Sequence, residues 1–219
     1  MAGKVNGTCV PVEYLVLGPI ENNVYVIDDG AGCIVVDPSC HPDRIMSVID
    51  GRAVDAILIT HGHFDHTGAA AALRAETGAP VIASQADTPM ITGEGGDAYH
   101  RKISTPSAVD RTVEDGDVLE IGNTKWEVIA TPGHTPGGLC FFLAPAAGQL
   151  GAPVLLSGDT LFAGTHGRTD FPESDPQAMS ESLKRLAQLP DETIALPGHN
   201  DFTTIGREKG WLSRGGIVR

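Results

Sequence analysis

The residues able to do chemistry are concentrated in one run, His61-Gly62-His63-Phe64-Asp65-His66, where three imidazoles and a carboxylate fall within six positions. The run follows residues 55–60, whose Ile/Leu/Ile content reads as a buried strand. It therefore sits on a loop leaving a sheet, from which side chains can converge. Three more ligand-grade side chains have the same setting, each beside glycine and just past an apolar run. They are His134 in Thr131-Pro132-Gly133-His134-Thr135-Pro136, Asp159 in Ser157-Gly158-Asp159-Thr160, and His199 in Leu196-Pro197-Gly198-His199-Asn200. A lone histidine after a strand is usually an ordinary surface or core residue. The ordered set of seven is not, because four strand ends each present a ligand to one rim.

Imidazole nitrogen and carboxylate oxygen suit zinc, iron(II) or manganese, whereas a closed structural zinc site would be rich in thiolate. Five histidines and two aspartates are too many for one tetrahedral ion and about right for two ions with open positions. The expected cofactor is a pair of divalent transition-metal ions, zinc first, with iron or manganese as alternatives. Two such ions about 3.5–4 Å apart bring the pKa of a shared water towards 7 and so provide hydroxide at neutral pH. Asp65 and Asp159 would hold and orient it, which makes them the catalytic candidates. Asp37, at a strand end in Val36-Asp37-Pro38, is a candidate for fixing a ligand histidine's tautomer. Arg168, in Gly167-Arg168-Thr169-Asp170-Phe171, either faces an anionic substrate group or is clamped by Asp170. His166 and the loop Gly93-Glu94-Gly95-Gly96 could line an entrance, although a plain surface role suits them better. His41 and His100 read as ordinary loop residues.

The elements that must position these residues form two similar series. Residues 12–17, 24–27 and 33–36 are short apolar pieces separated by turn formers, an antiparallel meander. Residues 41–49 have helical spacing after Pro42, residues 68–76 form an alanine-rich helix ending at Gly78, and 81–84 a short strand. Residues 90–109, rich in Gly, Ser, Thr and Pro, read as one long loop. Then 118–121 and 125–130 are joined by Gly122-Asn123, a two-residue hairpin signal. Strands follow at 139–143, 154–156 and 193–196, with a helix over 176–189 capped by Ser174 or Asp175 and stopped by Pro190. Two such series imply an α/β (α+β) fold, a four-layer αββα sandwich of two mixed β-sheets, within a single domain spanning residues 1–219.

Bulk properties narrow the function. With 41% hydrophobic and 20% charged residues among 219, the chain has ordinary globular composition. A net charge of −13 argues against a nucleic-acid partner, which needs clustered Lys and Arg. No apolar leader and no span of membrane length is visible. Cys9, Cys33, Cys40 and Cys140 form no CxxC pair and read as reduced, partly buried thiols. The expectation is a cytoplasmic protein with a small-molecule substrate and no membrane partner, its oligomeric state open.

The order HxHxDH, lone His, lone Asp, lone His resembles the metallo-β-lactamase superfamily over nearly the whole chain. The resemblance implies that His61, His63 and His134 hold a first metal, that Asp65, His66 and His199 hold a second, and that Asp159 bridges them. Asp65 between His63 and His66, Gly158 through Gly164, the Gly167–Phe171 run and Thr203-Thr204-Ile205-Gly206 are similar to the short, single-domain glyoxalase II-like (hydroxyacylglutathione hydrolase-like) hydrolases. That group implies thioester hydrolysis, as of S-lactoylglutathione, with the acyl group and thiol carrier open. The main alternative is a persulfide dioxygenase, a family that shares the HxHxDH order and the Gly-Arg-Thr-Asp-Phe run and holds one iron on the equivalents of His61, His134 and Asp159; the segment Thr160 to Gly164 favours the hydrolase. A lactonase, a β-lactamase and a non-enzymatic metal-binding module are lesser ones.

Overall fold

The computed structural model describes residues 2–94 and 105–216. The chain begins with β1 (Gly3–Val5), β2 (Val12–Leu17), β3 (Asn22–Asp28) and β4 (Cys33–Val36), then α1 (Pro42–Ile49) and β5 (Val54–Leu58). Next come α2 (Phe64–Thr67), α3 (Ala70–Thr77), β6 (Val81–Ser84), α4 (Thr88–Thr92) and β7 (Arg111–Val113). The second half contains β8 (Val118–Ile121), β9 (Thr124–Ala130), β10 (Leu139–Leu143), β11 (Val154–Gly158), α5 (Pro176–Leu186), β12 (Ile194–Pro197), β13 (Thr203–Thr204) and α6 (Ile205–Leu212).

The first sheet has the order β1-β2-β3-β4-β5-β6-β7 and the second β13-β12-β11-β10-β9-β8. Both are mixed. Strands β1 to β4 pair antiparallel, while β4 through β7 pair parallel across helical connections. In the second sheet the one parallel pair, β11 with β12, is spanned by α5. Strand alternation builds the layers. Tyr25, Ile27, Ala56 and Leu58 enter a core between the sheets with Trp126, Phe141 and Leu156, whereas their neighbours Val24, Val26 and Ile57 face α1 and α3 in a second core. A third core packs Leu155 and Ala195 beneath Met179, Leu183 and Leu186 of α5 and Leu212 of α6. This is the αββα sandwich the sequence pattern implies.

Local chemistry sets the element ends. The Asp175 carboxylate accepts from the backbone N–H groups of Gln177 and Ala178, and Pro176 occupies the first turn of α5. That helix ends at Leu186 rather than 189, because the amides of Gln188 and Leu189 bond back only three residues, to Arg185 and Leu186. The Gly122-Asn123 hairpin forms, with Ile121 opposite Thr124. The expected loop over 90–109 begins later than the sequence suggests: the short helix α4, with Pro89 in its first turn, buries Met90 and Ile91. Gly95, Gly96 and His100 lie outside the described residues. Strands β1 and β7 and helix α6 were not legible in the sequence; α6 is held from within by Glu208, which accepts from Thr203 Oγ1 and Trp211 Nε1. Cys9, Cys33 and Cys140 are buried and Cys40 half-buried, all four free. No helix among the described residues is long and apolar enough to cross a membrane.

Candidate metal centre

Five strand ends meet at one rim. Asp37 follows β4; His61 and His63 follow β5, and Asp65 and His66 ride on α2; His134 follows β9, Asp159 follows β11 and His199 follows β12. Glycine is needed where the strands turn in. A Cβ on Gly198 would lie 2.5 Å from both Asp159 Oδ1 and His66 Cε1, and one on Gly133 would lie 2.5 Å from Met179 of α5. The Gly-His pairs in the sequence thus have steric causes.

All seven expected ligands converge, in three overlapping groups: His61 with His63 and His134, Asp65 with His66 and His199, and His61, His66 and Asp159 between them. In the first group His63 Nδ1 lies 3.1 Å from His61 Nε2 and 2.9 Å from His134 Nε2. In the second, His199 Nε2 is 3.1 Å and His66 Nε2 3.4 Å from Asp65 Oδ2. Asp159 reaches both, at 3.4 Å from His66 Nε2 and 3.4 Å from His134 Nε2.

The outer ring nitrogens determine what the inner ones can do. His134 Nδ1–H donates to the Arg168 carbonyl at 2.7 Å and His199 Nδ1–H to the Ile20 carbonyl at 3.0 Å. His66 Nδ1 donates to Asp37 Oδ2 at 2.9 Å, and His63 Nε2 to Glu173 Oε1 at 3.2 Å. Thr60 Oγ1 donates to Asp37 at 2.6 Å and is thereby free to accept from His61 Nδ1 at 3.1 Å. Each imidazole has its outer nitrogen engaged, so the inner nitrogens face other lone pairs or carboxylates, with the Asn22 amide also 3.2 Å from His66 Nε2. Such a set needs cations or protons at its centre. Asp159 Oδ1, buried without a hydrogen-bond partner, points the same way. The donor set fits two transition-metal ions.

Charge divides the groups. Burial, reinforced by neighbouring imidazoles, pushes His61 well below the usual histidine range, and burial also lowers His134. Burial would lower His66 too, but Asp65, Asp159 and Asp37 reverse this and hold it well above the usual range. His199 is raised as well, since Asp65 and Asp159 outweigh its burial. For Asp65 burial acts upwards, and His66 and His199 overcome it, keeping the carboxyl far below its ordinary value.

Asp37 holds the place expected of it and does more, bracing two histidines at once, one through Thr60. Arg168 forms a two-point pair with Asp170 at 2.8 Å and lies 4.4 Å over the Phe171 ring, which is the clamp arrangement. His166 donates to the Gly167 carbonyl and lies near Trp211, apart from the seven; His41 precedes α1 on the surface. Two supporting carboxylates escaped the sequence reading. Glu173 has no neighbouring motif. Asp87, before Thr88-Pro89, looks like an ordinary helix cap, yet it makes no cap bond to α4. Its buried carboxylate accepts instead from Gly62 N, Thr135 Oγ1 and Gly137 N, tying the His61–His63 loop to the His134 loop. Burial still raises its pKa.

Comparisons with known proteins supply the family. The profile of the metallo-beta-lactamase superfamily matches residues 17–199. Hydroxyacylglutathione hydrolase GloC of Haemophilus influenzae is 30% identical over 208 residues, 90% of this chain and 94% of that protein. Among solved structures, the BLEG-1 B3 metallo-beta-lactamase superposes with a TM-score of 0.81 at 31% identity, over 91% of this chain and 96% of that one. TTHA1623 in a di-iron-bound form gives 0.75 at 36% identity, over 89% and 96%. ETHE1 from Myxococcus xanthus gives 0.74 at 27% identity, over 92% and 84%. With its sandwich fold and converging ligand set, the chain belongs to the metallo-beta-lactamase superfamily.

Proposed function

We propose that this protein is a two-metal hydrolase of small-molecule thioesters, of the hydroxyacylglutathione hydrolase kind, with His61, His63 and His134 holding one ion, Asp65, His66 and His199 the other, and Asp159 shared. The observation that carries this reading is the completeness of the second group. A one-ion dioxygenase carries the same run but needs only His61, His134 and Asp159 as ligands; here His66 and His199 also have their outer nitrogens fixed by Asp37 and the Ile20 carbonyl, as ligands of a second ion would. The likeness to hydroxyacylglutathione hydrolase GloC, and to a 36%-identical protein in a di-iron-bound form, supports it.

The chemistry that bound ions would supply is Lewis acidity, which lowers the pKa of water and offsets charge developing on a carbonyl oxygen. The rest falls to the chain. Asp65, held ionised, orients the attacking water from the side of the second group. Asp159, with Oδ1 free of other bonds, faces both groups and keeps them in register. The thiol leaves without help from an acid, because its pKa near 8.5 makes the thiolate a good leaving group. An anionic group on the substrate would have to displace Asp170 from Arg168. Zinc is the expected metal and a water-soluble thioester the expected partner.

The test is an assay at known metal content that offers S-lactoylglutathione, a lactone, a β-lactam and glutathione persulfide. Thiol release fastest on the thioester supports the reading. Oxygen consumption with the persulfide, without thioester cleavage, contradicts it.

A further inference from the structure

One segment, residues 168–175, lies across the first group of histidines. The Arg168 carbonyl accepts from His134 Nδ1, and Ser174 Oγ donates to the His134 carbonyl at 2.7 Å. The Asp175 amide donates to the Gly133 carbonyl at 2.8 Å. The Phe171 ring stands edge-on to His63 and His134, with centroids 5.5 and 5.6 Å away. Glu173, its side chain only 7% exposed, places Oε1 3.2 Å from His63 Nε2. The Arg168–Asp170 pair and the guanidinium over Phe171 brace the segment from outside. None of these contacts touches Asp65, His66 or His199.

Resting on the two-metal reading above, we propose that Glu173 is a positioning residue for His63, and that through it this strap sets the affinity of the first ion independently of the second. The argument is one of geometry. His63 is the only member of its group that offers Nδ1 to the centre, so its ring is turned relative to His61 and His134. His61 is steadied through Thr60 and His134 by a backbone carbonyl, whereas His63 relies on a side chain 110 residues away in sequence. A carboxylate accepting from Nε2 fixes that orientation and makes Nδ1 a stronger donor to a cation. Without it the ring is free to turn about its Cβ–Cγ bond, and Nδ1 leaves the centre.

The experiment compares the intact protein with Glu173→Ala and Glu173→Gln, measuring the two zinc affinities by chelator competition and the visible spectrum with cobalt substituted one ion at a time. Expected for Glu173→Ala is a first-site affinity about 10–100-fold weaker, an altered first-site cobalt spectrum, and a second-site affinity within about twofold of wild type. Glu173→Gln, which keeps an acceptor oxygen, should retain the cobalt spectrum and lose less affinity. An alanine variant with unchanged first-site affinity would overturn the proposal, as would equal weakening of both sites, the mark of general structural damage. A wild-type protein that binds one ion only would defeat the two-metal reading, while the effect of Glu173 on that ion would still decide this one.

Discussion

In the second histidine group, His66 is anchored by a carboxylate at the end of β4 and His199 by a backbone carbonyl in the β2–β3 turn; in the first, His63 and His134 depend on a loop between β11 and α5. The charge differs as well. Carboxylates surround His66 and His199 and favour their protonated forms, whereas burial among imidazoles keeps His61 and His134 neutral. The first group is thus ready to take a cation but held by a loop. The second, held from the end of β4 and from the β2–β3 turn, must give up protons first. Similar ligand atoms on one rim can therefore make two unlike sites, with the difference residing in the residues behind the ligands.

The largest effect should come from the residue that belongs to both sites. Asp159→Ala is expected to weaken metal binding at one or both positions and cut thioester turnover on the order of a thousandfold, the equivalent of several kcal/mol of lost charge stabilisation. Retention of two ions and near-normal turnover would erase the distinction between a shared ligand and a bystander.

A sharper comparison sets two buried carboxylates against each other. Asp37 supports His66 directly and His61 through Thr60, so Asp37→Ala should weaken both sites about 10–100-fold. Asp87 joins only the loops of the first group, so Asp87→Ala should weaken the first site and spare the second. Each leaves buried donors unpaired at about 1–3 kcal/mol apiece, so both should lower the melting temperature. Parallel chelator titrations on the two variants would reveal whether the two supports are separable.

The smallest effect per group is one of pH. A proton and a metal compete for the same imidazole nitrogen. Because the His66 and His199 pKa values are raised, second-site affinity should fall as pH drops below those raised values, about tenfold per unit for each proton displaced. The lowered values of His61 and His134 keep those residues out of such competition until a lower pH. The sign for stability follows the same shift: in metal-free protein, protonated His66 stabilises the fold fully below its unfolded value near 6.5, and this fades as pH rises through its higher folded value. Calorimetry in two buffers of different ionisation enthalpy should find proton release mainly with the second ion.

Five of the seven ligands were legible because each sits beside glycine past a strand end, and Asp65 and His66 because they continue the same run onto α2, so both signals are local. The layers were legible because strands and helices follow one another in two similar series, and the continuously apolar residues 24–27 and 56–59 suit strands covered on both faces. Glu173 and Asp87 were not, because what they do is decided by partners far away in the chain. Asp87 carries the local sign of a helix cap, and tertiary contacts with Gly62, Thr135 and Gly137 override it. Strand β7 gains its place by pairing beside β6, and α6 by the burial of Glu208, and neither feature has a periodic signature.

The most direct test of the central claim is stepwise reconstitution of metal-free protein with zinc, following stoichiometry and thioester hydrolysis in the same samples. Two ions per chain, with hydrolysis appearing in step with the second, is the result expected. A single ion at full occupancy, or protein whose thermal stability is unchanged by chelation and whose turnover needs no metal, would contradict the account.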